Sequence, residues 1–207
     1  MDSQPALLRG FREDEVARLR GAVRRAYSVA AESPALKHSF PVGRLFAESL
    51  GYSNELLAQL PSDSVDSFAG VSNVALFASI PPGASVLDLG CGAGLDSLIA
   101  ARRAGPTGRV VGIDFSAAML GRARQAAATC GLDITFCLGD AESLPLETDS
   151  IDLALVNGIF NLNPARAAIF AELARVVRPG GAVYAAELIL SESIPRTGQP
   201  SDAEWFA

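Results

Sequence analysis

A chain of 207 residues with 49% hydrophobic and 19% charged side chains has enough apolar material for a full core, so disulfide or metal staples are not needed. Seventeen basic against 23 acidic residues give a net charge of −6 and a pI near 4.8, which excludes a disordered chain and any bulk attraction for phosphate backbones. No apolar run reaches the roughly 18 residues of a membrane span, and the N-terminus lacks the basic-then-apolar order of a signal peptide, so a cytoplasmic protein acting on neither membranes nor nucleic acid is expected.

The first 80 residues carry helical periodicity. Phe11, Val16, Leu19, Val23, Tyr27 and Ala30 share one stripe, with Arg18, Arg20, Arg24 and Arg25 mostly elsewhere, and Glu32-Ser33-Pro34 ends the helix. A second helix is predicted from Arg44 to Leu50. Asn54 is expected to cap a third running to Leu60, and Ser64 a fourth from Val65 to about Phe77. Pro81-Pro82-Gly83 marks a boundary that divides the chain into an N-terminal helical segment, residues 1–80, and a core, residues 81–207.

Beyond that boundary strands and helices alternate. Strands are predicted at Ser85–Leu89, Arg109–Ile113, Ile134–Leu138, Ile151–Val156 and Ala182–Leu190. Helices are predicted at Leu95–Arg103, from Ser116 as a cap through Thr129, and from Pro164 to Val177, where Pro179-Gly180-Gly181 stops the last one. Apolar strands alternating with helices indicate an α/β fold with a parallel sheet covered on both faces.

The most informative stretch is Val86-Leu87-Asp88-Leu89-Gly90-Cys91-Gly92-Ala93-Gly94. Small residues after a first strand let the backbone turn tightly and approach a ligand at the carboxyl end of the sheet. The spacing is G-x-G-x-G rather than the G-x-G-x-x-G of dinucleotide sites. Asp88, two residues before the first glycine, attracts a cationic ammonium and repels a pyrophosphate, which disfavours a nucleotide-dependent oxidoreductase. Asp114 ends the second strand, 20 residues beyond Gly94, and suits two ribose hydroxyls, while Asp140 ends the third and suits an exocyclic adenine amine. Three acids at successive strand ends around a glycine turn describe a pocket for a cationic nucleoside.

VLDLGCGAG, VVGIDFS, GDAESLPL, IDLALVN and RVVRPGG, in this order across Val86–Gly181, resemble the motifs of class I S-adenosylmethionine-dependent methyltransferases. That resemblance implies a Rossmann-like sheet of order 3-2-1-4-5, with S-adenosylmethionine as cofactor and a small-molecule substrate. It would pass Gly90, Cys91, Gly92 and Gly94 under the methionine part and use Asp88 for the amino group. Asp114 would take the ribose, Phe115 and Met119 would border the adenine, and Asp140 and Ala141 would address its edge. Asn157 would lie near the sulfonium, and residues 1–80 would form a cap on the substrate side. No catalytic residue is named, because the sulfonium carries its own leaving group and the protein's task is positioning.

A narrower likeness covers roughly Val23 to Leu190. FPVGRLFAESLGYSNELLAQLP, SFAGVSNV, GCGAGLDSLIAARRAGPTGRVVGID and VNGIFNLNPARAAIFAELARVVRPGG are similar to the arsenite methyltransferases, implying trivalent arsenic, held as a thiolate complex, as methyl acceptor. That family holds arsenic through cysteines, and soft As(III) wants thiolates. Here the family's cysteine after the fourth-strand Asn is replaced by Gly158, none precedes Phe40-Pro41-Val42-Gly43, and another would fall just beyond the segment Ala203-Glu204-Trp205-Phe206-Ala207. The cysteines present, Cys91, Cys130 and Cys137, have no metal-ligand spacing, and a single histidine, His38, leaves nothing for a Ser–His–Asp relay. The parent fold closes its sheet with an antiparallel hairpin. The 17 residues after Leu190 are too few to supply it, so a truncated core is expected, with strand five an uncovered edge open to self-association.

Overall fold

The computed structural model describes residues 13–189 of the chain. Phe11, Leu190 and the segment around Trp205 lie outside those residues. Eight helices and five strands follow in order among the described residues: α1 (Glu13–Glu32), α2 (Arg44–Ser49), α3 (Asn54–Leu57), α4 (Ser62–Val65), α5 (Val74–Phe77), β1 (Ser85–Leu89), α6 (Leu95–Ala104), β2 (Arg109–Asp114), α7 (Ala117–Cys130), β3 (Ile134–Leu138), β4 (Ile151–Asn157), α8 (Arg166–Val176) and β5 (Val177–Ala186).

The strands form one parallel sheet in the order β3-β2-β1-β4-β5, as expected. Leu87 of β1 lies opposite Val111 on one side and Ala154 on the other. Alternation along each strand splits the core in two. Val86, Val110, Leu153 and Leu155 face Leu98 of α6 and Leu120 of α7. Leu87, Leu89, Val111, Ile113, Ala154 and Val156 face Ile169, Leu173 and Val176 of α8. With both faces covered, the strand order reverses direction between β1 and β4, which opens a crevice at the carboxyl ends of these strands.

The long N-terminal helix buries Leu19, Ala22, Val23, Ala30 and Ala31 along the expected stripe. Its C-terminal half packs Ala30 and Ala31 against Ala93 of the glycine turn and Met119 of α7. Several element boundaries differ from expectation. Ser53, not Asn54, caps α3, its side chain accepting from the Leu56 N–H at 3.2 Å. The helix expected over 65–77 is two short pieces, α4 and α5, because Asn157 pulls the intervening loop into the sheet: its Oδ1 accepts from the backbone N–H of Val71 and Ser72 at 2.8 and 3.0 Å. The fifth strand begins at Val177, before the Pro-Gly-Gly turn, and absorbs that turn as a register shift opposite Ile151–Leu153. Arg178, at that shift, pairs with Asp152 of β4 at 2.6 Å.

No helix among the described residues is long and apolar enough to cross a membrane.

Candidate functional site

At the carboxyl end of β1 the chain turns through Gly90, Gly92 and Gly94, all at positive φ. Gly90 could carry no side chain: a Cβ there would come within 2.3 Å of the Ile159 methyl. Its N–H and that of Cys91 both reach back to the Ile113 carbonyl, at 2.8 and 3.1 Å, which locks the turn against β2.

Two adjoining cavities lie above this turn and share Gly90, Asp114, Phe115, Ile159 and Leu162. Mouths included, the space they enclose is about 610 and 620 Å3. Asp140 and Ala141 line the first, toward β3. Asp88, Cys91, Gly92, Met119 and Asn157 line the second. Ten of the eleven residues expected at the site therefore border one continuous cleft. Gly94, the eleventh, caps α6 in a left-handed conformation behind it.

Three of the carboxylates that line the cleft have no cation. Asp88, Asp96 and Asp114 are 2%, 5% and 7% exposed, and none forms an ion pair with a basic side chain among the described residues. Asp88 receives the Ser97 hydroxyl, at 2.5 Å, and the Ser97 backbone N–H, yet burial with Asp96 nearby pushes its carboxyl well above the usual range. Burial also raises Asp96, against hydrogen bonds from Tyr52 (2.5 Å) and Asn157 (2.9 Å). Asp114 accepts from the N–H of Gly92 at 2.9 Å and of Ser116 at 2.8 Å, yet burial still lifts it to about 6. Buried carboxyls cost least when a positive charge or strong donors meet them. The lining of this cleft therefore fits a ligand that brings a cation and hydroxyls.

Residues of α1 roof the first cavity. Arg20 pairs with Glu142, which also receives the Asn163 side chain at 2.7 Å. Arg24 pairs with Asp140 at 3.4 Å and lies 5.9 Å above the Phe115 ring. Tyr27 meets Phe115 edge-on and stacks on Phe40, while Ser28 and Ser116 share a hydroxyl contact at 3.0 Å.

Asn157 lies in the floor of the second cavity with its amide fully spent. Besides the two N–H groups it accepts, its Nδ2 donates to Ser72 O at 2.7 Å and to Asp96. It acts as a clasp on the 70–72 loop. Gly70 permits this approach, since a Cβ there would sit 2.5 Å from that Nδ2.

Asp96, Glu142, Arg20 and Arg24 were not singled out as site residues from the sequence. Asp96 had one readable signal, an acid two positions past the glycine turn in the first turn of a helix. The arginines had none, because off-stripe cations on an amphipathic helix read as solvated. His38 lies apart from the cleft lining, bonded to the Ser33 carbonyl at 3.0 Å and stacked on Phe40. Cys91 is buried and its thiol is pushed up, first by burial and then by Asp114 and Asp88; Cys130 and Cys137 are half-buried and belong to opposite faces of the sheet. Among the described residues no three His, Cys, Asp or Glu side chains gather as a metal site.

Residues 80–204 match the family model described as a methyltransferase domain. An arsenite methyltransferase of Halobacterium salinarum is 35% identical over 150 residues, which are 72% of this chain and 38% of that protein. A ubiquinone/menaquinone biosynthesis C-methyltransferase of Cupriavidus necator is 39% identical over 111 residues, 53% of this chain and 45% of that one. The crystal structure of an arsenic(III) S-adenosylmethionine methyltransferase from Chlamydomonas reinhardtii superposes with a TM-score of 0.52 at 31% identity, over 68% of this chain and 47% of that one. This chain thus spans less than half the length of each of the three. S-adenosylmethionine is the cofactor implied by this family and fold, and three buried carboxyls without a protein cation suit its sulfonium, ammonium and ribose. With its sheet order, its glycine turn and the match over residues 80–204 all in agreement, the chain belongs to the Rossmann-like, S-adenosylmethionine-dependent methyltransferase family.

Proposed function

We propose that this protein binds S-adenosylmethionine across the strand ends and directs its methyl group to a small-molecule acceptor. The observation that carries this reading is the set of three buried carboxyls, Asp88, Asp96 and Asp114, facing one cleft without a protein cation. When bound, the cofactor supplies a methyl group on a sulfonium whose thioether departs without acid catalysis. The protein's part is then to hold, orient and desolvate. Asp88 holds the ammonium, and Gly90, Cys91, Gly92 and Gly94 let the backbone run beneath the methionine part. Asp114 takes the ribose hydroxyls, Phe115 and Met119 border the adenine, and Asp140 and Ala141 meet its edge. Asn157 keeps the 70–72 loop against the sulfonium end. Residues 1–80 act as a cap over a core of residues 81–207. Titration calorimetry with S-adenosylmethionine and NAD tests the reading: micromolar binding of the former is expected, and tighter binding of NAD overturns it.

As specific acceptor we propose arsenite delivered as a complex with a low-molecular-weight thiol. The arsenite methyltransferase likeness over 72% of the chain supports this. Position 158 does not supply that thiol and offers no room for a cysteine: Gly158 has φ 79°, and a Cβ there would lie 2.9 Å from a Val71 methyl. Methylarsenical production from arsenite is expected to require added glutathione. Cofactor binding with no methylarsenical at any thiol concentration would transfer the assignment to another small-molecule acceptor, or to a cofactor-binding protein without catalysis.

A further inference from the structure

Two buried hydroxyls have no partner. Ser64 and Ser67 are 0% and 1% exposed, and neither Oγ has a hydrogen bond in the structure. Leaving a buried hydroxyl unpaired costs about 1–3 kcal/mol, so a pair of them three residues apart calls for an explanation. Both line the second cavity, together with Asp88, Gly90 and Gly92. Their placement is set by packing: Val65 and Phe68, which alternate with them, are buried in the main core, and the Phe68 carbonyl accepts from the Gly43 N–H at 2.8 Å. Arg122 of α7 holds the start of the same segment through Asp63, at 3.4 Å.

The rest of that cavity is rich in acceptors and poor in free donors. Asp88, Asp96 and Asp114 are acids, the Asn157 amide is spent within the protein, and the Gly92 N–H is already given to Asp114. No Lys, Arg or His lines it. An amino-acid ligand presents an ammonium and a carboxylate on the same carbon, so wherever the ammonium meets Asp88 the carboxylate falls inside the same cavity. There it needs O–H or N–H donors.

We propose that the Ser64 and Ser67 hydroxyls donate to the terminal carboxylate of the cofactor's methionine end, forming the subsite that selects the amino-acid portion of the ligand. This rests on the reading that the cleft binds S-adenosylmethionine. It adds that the donor pair comes from α4 and the residues just after it rather than from the glycine loop, and that the hydroxyls are left unpaired in the ligand-free protein for this purpose.

The test compares two ligands on wild type, Ser64→Ala, Ser67→Ala and the double variant. S-adenosylhomocysteine carries the amino-acid end; 5′-methylthioadenosine has the same nucleoside and sulfur without it. A hydrogen bond to a charged group contributes about 1.5–3 kcal/mol, and every 1.4 kcal/mol is tenfold. The double variant is therefore expected to bind S-adenosylhomocysteine roughly 100-fold more weakly, with 5′-methylthioadenosine unchanged. Ligand-free thermal stability should not fall, since the removed hydroxyls have no partner to lose. Unaltered S-adenosylhomocysteine affinity overturns the assignment, as does equal weakening of both ligands, which would show a deformed pocket instead. Failure of the wild type to bind either ligand overturns the cofactor reading itself, and this assignment with it, and is distinct from both.

Discussion

Asp114 ties the glycine turn to the head of α7 before any ligand arrives, because its two oxygens take the Gly92 and Ser116 N–H groups. Each oxygen keeps a lone pair for a ribose hydroxyl. Asp114→Asn leaves one oxygen and a misplaced donor, so S-adenosylmethionine affinity is expected to fall roughly 10- to 100-fold, the range for losing one or two charge-assisted bonds. Unchanged affinity in a calorimetric titration would argue against this placement of the ribose. Gly158 illustrates a different constraint. Restoring a thiol by Gly158→Cys forces a side chain onto a left-handed backbone and into Val71. The expected result is a destabilisation of about 1–3 kcal/mol in urea unfolding, without recovery of arsenic binding. A stable variant with new affinity for arsenite would show that the 70–72 loop can give way.

At the scale of elements, strands were legible and junctions were not. Apolar strands alternating with helices announced a sheet covered on both faces, and acids at strand ends announced where a ligand would sit, since both signals are local. The break between α4 and α5 is imposed by Asn157, 85 residues downstream of Ser72, and no local propensity encodes it. Likewise Ser64 reads in sequence as a helix cap, and only packing shows its hydroxyl buried and unpaired. The roof formed by α1 is of this non-local kind. Its latch consists of Arg24 on Asp140 and Phe115, and Arg20 on Glu142. Arg24 and Asp140 have side chains 57% and 59% exposed, so their pair contributes only about 0.2–1 kcal/mol, and the ring contact about as much again. An equilibrium this shallow suits a roof that must open for the nucleoside. Arg24→Ala is expected to raise the cofactor dissociation rate several-fold in stopped-flow measurements. Raising ionic strength from about 10 mM to about 1 M shortens the screening length from roughly 30 to 3 Å and should speed release from the wild type much more than from the variant. Equal salt sensitivity would remove Arg24 from the latch.

For the whole molecule, the acidic cleft couples folding, ligand and pH. Asp114 has an ordinary value of 3.8 and is lifted to about 6 in the ligand-free fold by burial, and Asp88 is shifted in the same direction. A carboxyl raised on folding holds its proton more tightly in the native state, so between these values the native state binds more protons than the unfolded chain. Stability from this source is therefore full below pH 3.8 and is lost as pH rises through about 6. For Asp114 alone the loss is about 3 kcal/mol, at 1.36 kcal/mol per unit. A bound ammonium and ribose reverse the balance by favouring the ionised carboxylates, so ligand binding must expel protons. Two measurements check this together. Urea unfolding of the ligand-free protein should show the wild type losing stability relative to Asp114→Asn between pH 4.5 and 6.5, with saturating S-adenosylhomocysteine abolishing the wild type's relative loss. Calorimetry near pH 6 in buffers of different ionisation enthalpy should show net proton release on binding. Proton uptake, or a difference between wild type and variant of the opposite sign, would mean that the cleft's carboxyls are already ionised without ligand, and that some cation other than the cofactor meets them.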